Sequence, residues 1–129
     1  MLQLYAPLSV GELIDKITIL KIKQKKATDT QKLININREL DELESTWKKE
    51  KAAELDISDL FQQLTEVNEA LWNIEDDIRA KEAVNKFDQE FIDLARSVYK
   101  QNDRRAALKK EINIRSGSTL IEEKLYQEY

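Results

Sequence analysis

Apolar residues recur along this chain at every third or fourth position, in four long runs separated by short polar breaks. In the first run Val10, Leu13, Ile14, Ile17 and Leu20 make one stripe, the spacing of a helix with a buried face. Ile19 and Ile22 fall on a second side, near Asp15 and Thr18. A helix apolar on two sides needs two partners. It is therefore either central to the fold or part of a contact between copies, with Ile19 and Ile22 as the candidate interface. Ser9 and Glu12 stand at capping-box spacing, and Leu8 and Leu13 are placed as a hydrophobic staple, so the helix is predicted at about 10–26. In the second run Leu33, Ile36, Leu40, Leu43 and Trp47 step by three and four, a bundle or coiled-coil seam. It predicts a helix at about 31–52, capped by Asp29 or Thr30. Leu60, Leu64, Val67, Leu71, Ile74 and Ile78 predict a third at about 59–82, with Ser58 as its cap. Phe91, Leu94, Ala95, Val98, Leu108 and Ile112 predict a fourth at about 88–114, capped by Asp88 and stopped by Gly117 in a left-handed conformation.

Residues 1–8 read as an extended arm. Residues 118–129 read as a tail, with a short helix from Thr119, where Thr119 and Glu122 repeat the capping-box spacing. Short connections favour antiparallel neighbours. The expected fold is all-α: an antiparallel up-down bundle of about four helices, with an extended N-terminal arm and a short C-terminal helix or tail, in a single domain over 1–129.

Composition narrows the chemistry. Charged residues make up 36% of the chain and the net charge is −4, without the basic excess of a protein that coats duplex nucleic acid. There is no Cys and no His. This removes thiol and imidazole nucleophiles, histidine bases, Cys/His zinc sites and disulfides, and no metal or cofactor is assigned. No apolar run approaches the roughly 20 residues of a membrane span. The opening MLQLYAPLSV lacks the make-up of a signal peptide. A cytoplasmic protein is expected.

On a helical wheel of the third run, Phe61, Asn68, Trp72, Glu75 and Arg79 gather on one flank of the core stripe, while Glu66, Glu69, Asp76 and Asp77 point toward water. Glu75 is the carboxylate expected to be partly buried. In the fourth run the stripe between Val98 and Leu108 passes through Gln101, Asn102 and Arg105. An arginine on a core stripe needs a carboxylate, because an unpaired buried charge is very costly. Glu75 is the natural candidate. Antiparallel pairing through the 83–87 loop, however, sets Glu75 opposite about position 95, well short of Arg105. That leaves a bend, or an acid from another helix, Asp15 or Glu39. Three readings stay open for Asn68, Trp72, Glu75, Arg79, Asn102 and Arg105: a polar layer that fixes helix register, a ligand pocket between helices, or simple exposure.

Carboxylates at i, i+3 (Glu39/Glu42, Glu66/Glu69) loosely imitate the magnesium sites of all-helical nucleotide pyrophosphohydrolases, although Glu66 and Glu69 point away from the core. An Mg²⁺- or Mn²⁺-dependent hydrolase of a small phosphorylated substrate is one alternative, and a small-anion-binding protein using a pocket around Arg105 is another. The leading reading is an oligomeric or partner-binding module, which leans against an enzyme.

The runs PLSVGELIDKITILKIK, EALWNIEDDIRAKE, FIDLARSVYKQNDRRAALKKEIN and EEKLY follow in that order across nearly the whole chain. Together they resemble a small family of uncharacterised bacterial and phage proteins of unknown function. The resemblance implies a compact stand-alone protein and no particular activity. The stretches Asn102 to Arg105 and Trp72 to Arg79 coincide with its motif centres.

Overall fold

Ser9 opens the first helix, its hydroxyl accepting the Glu12 backbone N–H at 3.1 Å, and α1 runs Val10–Lys26. The computed structural model describes residues 1–129, Lys51 by its backbone alone. Asp29 caps α2, Thr30–Lys48, through the Lys32 N–H at 2.8 Å. A 3₁₀ turn at Lys51–Glu54 leads to α3, Ser58–Ala83. Asp88 caps α4, Gln89–Ser116, through the Phe91 N–H at 3.0 Å. Four helices pack against one another and no strand occurs among the described residues.

α1 is the hub, packed against α2, α3 and α4. Its stripe of Leu13, Ile14, Ile17 and Leu20 meets Leu40 of α2, Leu60, Leu64 and Val67 of α3, and Leu108 and Ile112 of α4 in one core. The second apolar side finds its partners inside the chain: Ile22 is buried and Ile19 half-buried. These two residues therefore do not form the free surface that a contact between copies through them would need. Centrality accounts for the two-sided pattern.

α3 and α4 form an antiparallel hairpin. Asp59 holds Arg115 at 3.1 Å near its base, and Lys81 holds Asp88 and Glu90 at 3.0 Å near its tip. Asn85 turns the chain with φ 54°, a left-handed conformation that Asn tolerates. α1 reaches only part of the way along this hairpin, and its last residue, Lys26, sits over the Trp72 ring. Beyond that point cover runs out, and no residue between 69 and 107 is buried.

Three local expectations are corrected. α2 stops at Lys48 instead of 52, because the Trp47 carbonyl accepts the Glu50 N–H at 3.1 Å and the chain tightens into 3₁₀ geometry. Ser58 does not cap α3; Ile57 holds that position, and Ser58 instead donates to Asp56 at 2.6 Å. Residues 119–129 form no helix. Eleven residues without a packed face fall below the length at which a helix holds itself. The chain runs extended and returns along α4.

Candidate functional site

Where α1 crosses α3 and α4, a polar layer replaces the apolar core. Asp15 is fully buried, two turns along α1 from its cap. Its Oδ1 accepts the Arg105 Nε at 3.0 Å and the Asn68 Nδ2 at 3.0 Å, and its Oδ2 accepts the Arg105 Nη2. Asn68 also donates to the Thr18 hydroxyl at 2.9 Å, and that hydroxyl donates to the Asp15 carbonyl at 2.7 Å. One carboxylate thus ties three helices through charge-assisted bonds, in the side-on fork that Arg presents. The bond to Asp15 raises the Arg105 pKa above its ordinary value, against the opposing effect of burial.

One turn toward the base lies a second pair. Lys109 donates to Glu12 at 2.6 Å and reaches Glu122 of the tail at 3.4 Å. Burial works against its charge, but the Glu12 bond and the fields of Glu12, Asp15 and Glu122 prevail, and its pKa is raised. One turn further, Gly11 donates to the Asn113 Oδ1 at 2.6 Å. A Cβ on Gly11 would run into the Lys109 carbonyl oxygen, so this is a close approach of two helices that only glycine permits.

The tail completes the site. The Val10 N–H donates to the Ser118 hydroxyl at 3.1 Å. Lys124 reaches Asp103 at 3.2 Å, and the Tyr129 hydroxyl donates to Asp103 at 2.8 Å, its ring 5.0 Å from that of Tyr99. The Tyr129 hydroxyl and then Lys124 hold the Asp103 carboxyl below its ordinary pKa. Cavities of about 260 and 720 Å³ lie between tail and helix, and Asn102 lines both.

The six residues singled out by sequence therefore separate. Asn68 and Arg105 meet at Asp15, and Asn102 lies one turn away on the groove. Trp72 is half-buried beneath Lys26. The expected partial burial of Glu75 is corrected: Glu75 and Arg79 are both exposed and, among the described residues, pair only with each other, at 3.3 Å. The wheel set them on a core flank, but no third helix reaches that height of the hairpin. Glu39 is exposed and plays no part in the layer. Sequence reasoning missed Glu12, Lys109, Asn113 and the tail carboxylates Glu122 and Glu123. Gly11 was the available signal, one of two glycines in the chain and set in the first turn of a helix. Glu39, Glu42, Glu66 and Glu69 are all exposed, and among the described residues no three carboxylates gather where they could hold a metal. No helix is long and apolar enough to cross a membrane.

A family model described as "Family of unknown function (DUF6165)" matches residues 4–129. No curated protein and no solved structure matches the chain.

Proposed function

The chain belongs to this family of unknown function, and we propose from its geometry that it works as a self-associating helical module whose contact face is the distal part of the α3–α4 hairpin. One observation carries the reading. The seam of Leu71, Ile74, Ile78, Phe91, Leu94 and Val98 has the spacing of a bundle core, yet none of these residues is buried. A four-helix arrangement is the ordinary way to cover such a seam. Near the tip Val84, Phe87 and Ile92 are exposed as well, at 68%, 55% and 47%.

The charges favour a second copy as the occupant. From 69 to 82, α3 carries five acids against two bases; from 94 to 104, α4 carries three bases, Arg96, Lys100 and Arg104, against one acid, and nearer the tip Glu90 is taken up by Lys81. Two such hairpins related by a two-fold axis set the acidic helix of one against the basic helix of the other, the self-complementarity that an isologous contact requires. Light scattering on a gel-filtration column tests it. The wild type is expected at about twice the 15.1 kDa of one chain, and Ile92→Glu, a change at an exposed position, at the mass of one. A wild type that stays monomeric at millimolar concentration overturns the proposal.

A further inference from the structure

The seam between α4 and the tail is hollow. The larger cavity, about 720 Å³, is walled by Tyr99, Asn102, Tyr126 and Tyr129 together with the charged Asp103, Lys124 and Glu128. The adjoining one, about 260 Å³, shares Asn102 and Tyr126 and adds Arg105 and Lys109. At ~1.5 Å per residue, Tyr99 and Lys109 stand about 15 Å apart along α4. One end of the groove is aromatic, and the other carries Arg105, Lys109 and Lys124 beside Glu122.

We propose that this groove binds an anion carrying a flat aromatic ring, the class of nucleoside monophosphates, with the ring against the tyrosines and the phosphate at the Arg105–Lys109 end. The larger cavity falls within the roughly 300–1,000 Å³ of small-molecule sites. Polar groups along the groove are left over from the fold. The Asn102 amide has no hydrogen-bond partner among the described residues, and its donor and acceptor together match a base edge. Arg105 spends Nε and Nη2 on Asp15, and its Nη1 makes no bond among the described residues. Aromatic faces accept any base by stacking.

The tail supplies one loose counter-charge that the ligand would replace. Lys109 is held by Glu12 of α1 at 2.6 Å and only loosely by Glu122 of the tail at 3.4 Å, the second well beyond the separation of a firm charge-assisted bond. A phosphate entering beside Lys109 displaces Glu122. The tail is then a strap that yields its carboxylate to the ligand while its tyrosines close on the ring.

Isothermal calorimetry at neutral pH with adenosine and uridine 5′-monophosphate tests this, with adenosine and inorganic phosphate as partial probes. Saturable binding of both nucleotides is expected, with each partial probe at least about tenfold weaker, as expected where stacking and charge both contribute. Asn102→Ala and Tyr99→Ala are expected to weaken nucleotide binding about tenfold, on the same grounds, with circular dichroism unchanged. Glu122→Gln is expected to strengthen it by removing the competing carboxylate. No saturable heat with either nucleotide, inorganic phosphate binding as tightly as the nucleotides, or Asn102→Ala binding like wild type would each overturn the proposal. The readout does not depend on whether the hairpins pair.

Discussion

Asp15 is the residue on which the helix arrangement turns. A carboxylate with no exposure is tolerable only because three donors converge on it. Taking away the guanidinium strands that charge. Arg105→Leu is therefore expected to cost about 3–5 kcal/mol, the range for breaking a buried pair from one side. That is a large share of the ~5–15 kcal/mol that holds a domain of this size. Asp15→Leu/Arg105→Leu removes both charges and is expected to regain most of the loss, since apolar replacement of a whole pair is often neutral. Urea midpoints of the three proteins decide it, and a double variant no more stable than Arg105→Leu would contradict the account. The sequence carried half of this. An arginine on an apolar stripe announced an acid, and counting from the turn disqualified Glu75. It left Asp15 and Glu39 equal, because periodicity says which face of a helix is dry but not which helix lies across it.

At the scale of elements, the best-read helices are those whose ends carry their own chemistry. α1 and α4 both begin on a side-chain cap, and α4 ends on Gly117 at φ 68°. There the Ser118 N–H donates to the Asn113 carbonyl at 2.9 Å and the Gly117 N–H to that of Ile114 at 3.3 Å, the paired bonds of a Schellman stop. A Cβ on Gly117 would meet open space, so the cost of adding one is conformational alone. Gly117→Ala is expected to lose about 1–2 kcal/mol, the penalty of the left-handed region, and Gly117→Asn distinctly less, since Asn visits that region. Thermal melts of the two variants compare them directly; equal loss would mean that a contact rather than the backbone is at stake. α2 and the tail were misread for a complementary reason. The residues after Lys48 are good helix formers, and Thr119 with Glu122 imitates a cap. What decides both segments is packing elsewhere, which no local pattern records: the chain must bring Ile57 and Leu60 into the core, and the tail spends its charges on α4.

For the whole molecule, the tail is the piece whose attachment depends on pH. It is held to α4 by exposed polar contacts, among them the pairing of Asp103 with Tyr129 and Lys124, rather than by buried apolar area. Asp103 has a lowered pKa, caused first by the Tyr129 hydroxyl and then by Lys124. Its contribution to docking is therefore complete above the ordinary carboxylate value of ~3.9 and fades as pH falls through the lower docked value. Tyr129 has a raised pKa, caused first by its bond to Asp103. Its contribution is complete below the ordinary phenol value of ~10 and fades as pH rises through the higher docked value. The tail should consequently stay docked across the neutral range and loosen at both extremes. Backbone ¹⁵N relaxation of residues 120–129, read against α1 amides as the internal reference, follows it. Tyr129→Phe discriminates between causes. It deletes the hydroxyl, so the loosening that phenol ionisation drives should vanish and the acid-side release should move up toward the ordinary carboxylate range. An unaltered profile in that variant would place the hold on the tail in Lys124 and the glutamates, and Tyr129 would then close on the groove by its ring alone.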